Sequence, residues 1–190
     1  MSPVPSEIKL SPDALKNALY PRLFEQNEEV NTCVLLDGAS VPDLLDHLYG
    51  NPRPEFICLY RGELKPDMAE VAPYLVQLKP DTPFTDWIIA EGWGKHWGIF
   101  VTAKVELAEL RKHFRTFTIV KDPDGKMLYF RYYDPRVLRV YLPTCNAQET
   151  ATVFGPVESY LLEDEAPATL LRFSRAAGVM RKEAVALVNT

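Results

Sequence analysis

KMLYFRYYDPRVLRVYLP, residues 126–143, is the stretch whose reading decides the fold. Its first half alternates, with Met127, Tyr129, Arg131 and Tyr133 on one face of an extended strand and Leu128, Phe130 and Tyr132 on the other. Both faces are mostly apolar, which predicts an inner strand of a sheet. Asp134-Pro135 then supplies a capping carboxylate and a first-turn proline, so a helix is predicted to begin there. On its wheel Val137, Leu138, Tyr141 and Leu142 share one arc, while Arg136, Arg139 and Val140 occupy the opposite one. The Arg136/Arg139 face is expected to be exposed. Arg136 is a cation in a first turn, where the helix dipole opposes it by up to about 1 kcal/mol. It needs a partner, and two readings stand: an internal ion pair with Asp134 or a nearby acid, or contact with another molecule. For Arg131, inside the strand, internal pairing is the preferred reading.

Upstream, residues 117–121 (FTIVK) and 127–133 flank Asp122-Pro123-Asp124-Gly125, a compact turn sequence that predicts an antiparallel hairpin. The N-terminal part reads helix, strand, helix, strand. Ser11-Pro12-Asp13 caps a helix that Pro21 should kink or split, and residues 31–37 (NTCVLLD) are of strand length. Residues 41–49 carry Leu44, Leu45 and Leu48 at helical spacing, and residues 55–60 (EFICLY) form the next strand. This order predicts an α/β fold with a mixed, partly parallel sheet flanked by helices. Residues 72–79 (APYLVQLK) alternate as a third strand, residues 84–93 read as a helix, and residues 97–102 (WGIFVT) are a β run. Residues 105–113 form an amphipathic helix with Val105, Leu107, Ala108 and Leu110 turned inward.

Past the central stretch, residues 144–150 open another helix, Phe154-Gly155-Pro156 is a turn, and residues 157–163 and 168–173 are strands. Residues 178–187 read as a short helical appendage. Its apolar side, Val179, Met180, Val185, Leu187 and Val188, packs on the core or lies in a partner's groove, the core being preferred. The expected organisation is a loose tail over residues 1–10, an α/β domain over 11–165, and a small C-terminal lobe or helix over 166–190.

The chain has 190 residues, 47% of them hydrophobic and 25% charged, enough for one well-formed core. A net charge of -5 gives no global attraction to nucleic acid or to an anionic membrane, and neither is an expected partner. Cys33, Cys58 and Cys145 are far apart with no CxxC pair, as in a reduced interior. No apolar run approaches the roughly 18 residues that cross a bilayer, and a cytoplasmic chain is expected.

Chemistry is sparse. His47, His96 and His113 are widely separated and no HExxH occurs, so no metal is expected. There is no GxSxG elbow, no phosphate loop and no GxGxxG, and therefore no expected cofactor. The best catalytic arrangement would bring His96, His113 and Asp134 together with Cys145 as nucleophile. A hydrolase or transferase with His96 or His113 as base is thus the alternative reading. His113 ends its helix, where a C-cap or a buried hydrogen bond is the preferred role. Trp87 and Trp97 read as core residues, whereas Trp93 could be core or a partner anchor. Glu163-Asp164-Glu165 reads as a solvated turn.

Several segments, taken in order, carry a resemblance. They are the early strand-helix-strand, APYLVQL, the tryptophan-rich helix with WGIFV, the LxxLxxHxR-like set Leu107, Leu110, His113 and Arg115, then FRYYDPRVL and FGPV. Over residues 31–160 the chain resembles the adaptor chaperones of bacterial type VI secretion, the Tap or TEC proteins, a family catalogued as a domain of unknown function. FRYYDPRVL is the most specific part. The resemblance implies a protein without catalysis that binds a toxic effector and loads it onto the VgrG spike before delivery. Positions shared with the family pattern are His113, Arg115, Arg131, Tyr132, Asp134, Pro135 and Arg136. The candidate partner-binding residues are Arg136, Arg139, Trp93, Arg131, Tyr132, His113 and Arg115, of types that dominate interface hot spots.

Overall fold

The computed structural model describes residues 10–24, 29–121 and 124–187. In chain order the elements are α1 (Pro12–Leu23), β1 (Asn31–Asp37), α2 (Leu44–Leu48), β2 (Phe56–Cys58), α3 (Pro66–Val71), β3 (Pro73–Leu78) and α4 (Pro83–Trp87). There follow β4 (Gly98–Ala103), α5 (Leu107–Phe114), β5 (Ile119–Lys121), β6 (Met127–Tyr129), α6 (Pro135–Tyr141), α7 (Ala147–Phe154), β7 (Val157–Glu163), β8 (Thr169–Ala176) and β9 (Val179–Ala186). A 3-10 turn, Gly38–Ser40, follows β1, and a π turn, Ile88–Gly92, extends α4. The expected tail lies, except for Leu10, outside the described residues, as do Asp122, Pro123 and Val188.

Among the described residues seven strands lie side by side in the order β2-β3-β1-β4-β7-β8-β9, and β5 and β6 form a separate ribbon. Every pairing among the described residues is antiparallel, which corrects the expectation of a partly parallel sheet. β1 and β2 do point the same way, as a strand-helix-strand order requires. β3 returns between them, with Leu75 opposite Leu35 on one side and Ile57 on the other, so the two never become neighbours. The near-continuous apolar runs of these strands record burial on both faces of the sheet. Val34, Leu36, Tyr74, Val76, Phe100 and Leu161 face a layer that includes α1, α2 and the π turn. Cys33, Leu35, Leu75, Val101, Tyr160 and Phe173 face the layer of α5, α6 and α7.

Two further readings are corrected. Residues 179–186 are a strand and not a helix. Ala177 and Gly178 both take positive φ, 51° and 81°, the two-residue turn whose twist suits a hairpin, and Ala176 pairs directly with Val179. Met180, Arg181, Lys182, Glu183 and Ala184 favour helices, yet the ladder with β8 overrides their propensity, and the period of two sends Val185 to one core and Met180 to the other. The inner strand expected over residues 126–133 is likewise absent. Only Met127–Tyr129 is extended, and it pairs with β5 in the predicted hairpin, outside the main sheet. The chain then turns, Asp134 N donating to Arg131 O at 3.0 Å, and buries Tyr132 and Tyr133 beneath the sheet.

Smaller differences are local. α1 continues through Pro21 without splitting, capped by Ser11 Oγ, which accepts from Ala14 N at 3.2 Å. α2 is shorter than its leucine spacing implied, and α3 was not anticipated. Among the described residues no helix is long and apolar enough to cross a membrane.

Candidate functional site

Two of the residues singled out from the sequence, Arg131 and Arg136, lie with their carboxylates at one end of the sheet, where β1 finishes and α6 begins. Asp37, the last residue of β1, is buried, and its carboxylate is satisfied three ways. It accepts from Ala39 N (3.3 Å) and Ser40 Oγ (2.9 Å), and it forms an ion pair with Arg131. A buried carboxylate without such donors would cost several kcal/mol. Arg131 is 46% exposed, so one edge of its guanidinium faces solvent while the other is held by Asp37, which keeps it firmly charged. The internal pairing expected of Arg131 is present.

Asp134 caps α6 as predicted, accepting from Arg136 N at 2.9 Å. The Arg136 side chain closes back onto the same carboxylate, Nε to Oδ1 at 3.0 Å and Nη2 to Oδ2 at 2.6 Å. This bidentate pair offsets the dipole penalty of a first-turn cation. Burial pushes the Asp134 carboxyl up, but the side-chain and backbone hydrogen bonds from Arg136 outweigh it and hold the carboxyl below its ordinary value. Arg136 remains 52% exposed. Internal pairing and an outward-facing guanidinium edge therefore coexist in this residue.

Arg139 is not the exposed partner that its helical position implied. Its side chain is only 14% exposed, and its Nη2 lies 3.6 Å from Glu165 Oε1. Among the described residues its Nη1 is buried with no hydrogen-bond partner. Trp93 is also inside: Nε1 donates to Pro167 O at 2.6 Å and the ring stacks on Phe100. Tyr132 is fully buried, its hydroxyl donating to Phe114 O at 2.8 Å and its ring edge-on to Phe117. Trp93 and Tyr132 are thus both buried side chains.

His113 and Arg115 fasten α5 to its neighbours. His113 Nε2 lies 2.9 Å from Val153 O, and burial lowers the pKa of the ring. Gly155 sits against that ring at φ 46°, and a Cβ there would come within 2.5 Å of His113 Cε1. The glycine of FGPV is thus explained by the histidine of the earlier segment. Arg115 Nε donates to Leu59 O at 2.6 Å and its Nη2 donates to Tyr60 O, while Arg111 Nε donates to Cys58 O at 3.0 Å. Burial, followed by the like charges of Arg111 and Arg61, lowers the Arg115 pKa.

The sequence reading passed over two buried acids. Besides Asp37 there is Glu163, the last residue of β7, read as part of a solvated turn. It accepts from His96 N at 2.9 Å and from Gly94 N, and its Oε1 meets His96 Nδ1. Burial raises its pKa, opposed by the Gly94 and His96 contacts. The signal was available: both acids end seven-residue strands whose preceding residues are nearly all buried.

The catalytic arrangement weighed from the sequence takes a different form. His96 engages Glu163, His113 engages Val153, Asp134 engages Arg136, and Cys145 Sγ lies 3.6 Å from Tyr141 O. Among the described residues no hydrogen bond joins any two of those four. Burial raises the Cys145 thiol and pushes Cys33 up to about 12, which keeps both protonated near neutrality.

The exposed apolar surface lies elsewhere in the same segment. In the β5–β6 ribbon Ile119 faces Tyr129 and Val120 faces Leu128, and these four, with Met127, belong to the exposed large apolar residues described. Tyr129 is 62% exposed, its ring touching only that of Tyr60 among the aromatic contacts described.

Compared with known protein families, residues 33–152 match the model of a domain of unknown function, DUF4123. The match spans more than half of the chain, starting within β1, containing every element from α2 to α6 and ending within α7. No curated protein and no solved structure matches.

Proposed function

The chain belongs to the DUF4123 family, and from that premise we propose that it is a type VI secretion adaptor, binding a toxic effector and carrying it to the VgrG spike without catalysis. The observation that carries this reading is the β5–β6 ribbon. A two-stranded ribbon that lies outside the main sheet and exposes apolar residues on both faces costs solvation unless something covers it, and exposed patches of this kind mark sites of protein interaction. The arginines beside it support the reading, because Arg131 and Arg136 are positioned by carboxylates and still offer outward donors. The charged groups of the corner are each held by an internal partner, a pattern that suits a rigid recognition surface.

The reading is tested in the source bacterium by deleting the gene and following delivery of each toxin. Loss of delivery of one toxin, with the others unaffected and with that toxin and a spike protein recovered on the tagged chain, is the expected result. Normal delivery of every toxin from the deletion strain overturns it.

A further inference from the structure

The two edges of the main sheet are treated differently. β2, at one edge, is three residues long, and Arg111 and Arg115 of α5 donate to the carbonyls of Cys58, Leu59 and Tyr60 at its end. It offers little to an incoming strand. β9, at the other edge, is eight residues long, and among the described residues no further strand follows it in the sheet order. Leu187 N donates to Ala168 O at 2.8 Å, so by antiparallel alternation the odd-numbered residues of β9 bond to β8. The N–H and C=O groups of Met180, Lys182, Ala184 and Ala186 therefore point away from the sheet. Long, flat, uncovered edges are avoided in proteins that do not use them.

The charge of this edge specifies what fits it. In a chain of net charge -5, the β8–β9 hairpin, residues 169–186, carries Arg172, Arg175, Arg181 and Lys182 against Glu183 alone. Arg172 stands opposite Glu183 in the register, which leaves the excess at the outer strand and the turn. We propose that β9 is a site of strand addition that takes an extended, acidic segment of a partner protein, with carboxylates beside Arg181 and Lys182 and main-chain hydrogen bonds to Met180, Lys182, Ala184 and Ala186. A second copy fits less well, since β9 on β9 would bring two cationic edges together. The proposal rests on the adaptor reading only for the identity of the partner that supplies the strand.

The probe is the peptide acetyl-TVVEEVT-amide, whose adjacent glutamates point to opposite faces as Arg181 and Lys182 do, with a control in which lysine replaces both glutamates, and the readout is hydrogen exchange of the intact chain. The acidic peptide should slow exchange at the four outward amides of β9, and the lysine control should not. Ala184→Pro should abolish the effect with the melting temperature unchanged, because that N–H is outside the β8 ladder and proline is tolerated on the open side of an edge strand. Should that variant melt early, Lys182→Glu serves instead and should weaken binding by roughly fivefold, from reversal of one cross-strand charge pair. Three results would overturn the proposal: no protection, equal protection by both peptides, or a dimer of the free chain that Ala184→Pro dissolves. Retention of the natural partner by Ala184→Pro would defeat strand addition and leave the adaptor reading intact. Protection of β9 by the acidic peptide, with toxin delivery independent of the chain, would do the reverse.

Discussion

The Arg131 guanidinium rests on the Asp37 carboxylate, joining two residues 94 positions apart and tying the turn before α6 to the end of β1. Asp37 is buried and Arg131 half exposed, so the pair lies between two regimes. An exposed pair contributes about 1 kcal/mol or less, and breaking a buried one costs about 3–5 kcal/mol. Arg131→Ala is expected to destabilise the chain by about 2 kcal/mol, because Asp37 keeps the Ala39 and Ser40 donors. Thermal melting should show a drop of about 4–8 °C. A combined Asp37→Asn and Arg131→Ala variant should lose less than the sum of the two single changes.

Asp134 and Arg136 predict an acid-limb effect. The Asp134 carboxyl is held below its ordinary value, so its contribution is complete above the unfolded value of about 4 and is lost as the pH falls through the lower folded value. Arg136→Ala removes the side-chain part of that contribution. The variant should be less stable than the parent at neutral pH by about 1 kcal/mol, the modest figure reflecting an exposed guanidinium. The difference should shrink as the pH drops below about 4. Melting temperatures that diverge further in acid would contradict this account of the cap.

Glu163 has the opposite sign. Burial raises its folded pKa above the unfolded value of about 4.3, so the unfolded chain releases its proton first as the pH rises. Stability falls across the window from that value to the raised one. Glu163→Gln keeps an oxygen for Gly94 N or His96 N and has no proton to release, so its profile should be flatter. Relative to the parent it should gain stability as the pH climbs above about 4. A deficit that widens with pH would mean that the charge itself holds the loop.

What could be read in the sequence was what is local. The start of α6 follows from Asp134-Pro135 and the hairpin from its turn residues, both settled by neighbours within four positions. The inner strands were also legible, because two-sided burial leaves continuous apolar runs such as CVLL. Strand direction was not, since it depends on β3 entering between β1 and β2, and nothing inside any one strand records that order. Arg131 announced a need for a partner without naming Asp37, which carries no local mark except that it ends a buried strand. Met127, Leu128 and Tyr129 were misplaced for a related reason: exposed apolar residues in a ribbon obey the same alternation as buried ones.

Gly155 offers a test of the contact between α5 and the turn before β7. It has φ 46° and ψ -116°, a combination poorly available to residues with a Cβ, and that Cβ would strike the His113 ring. Gly155→Ala should cost about 3 kcal/mol from backbone strain and overlap together. Removing the ring with His113→Ala relieves the overlap and leaves the strain. The double variant should therefore be more stable than the sum of the single losses by about 1 kcal/mol, read by denaturant unfolding. Strict additivity would show that the turn avoids the ring by moving.

The β5–β6 ribbon separates recognition from folding more cleanly than the arginines do, because Arg131 and Arg136 serve both. Met127→Glu with Leu128→Glu places two charges on side chains that are already exposed, and the ribbon's ladder with β5 is made by backbone groups. Stability should change by no more than about 0.5 kcal/mol for each substitution, the usual range for surface positions. Recovery of the toxin on the tagged chain, and its delivery, should both be lost. Ala184→Pro in parallel distinguishes the two surfaces: loss with the ribbon variant alone places the partner on the ribbon, and loss with both requires one partner, or two, to span the sheet from ribbon to edge. If the doubly charged ribbon melts as the parent does and still delivers the toxin, the exposed apolar residues have no part in recognition, and the adaptor reading loses the observation that carries it.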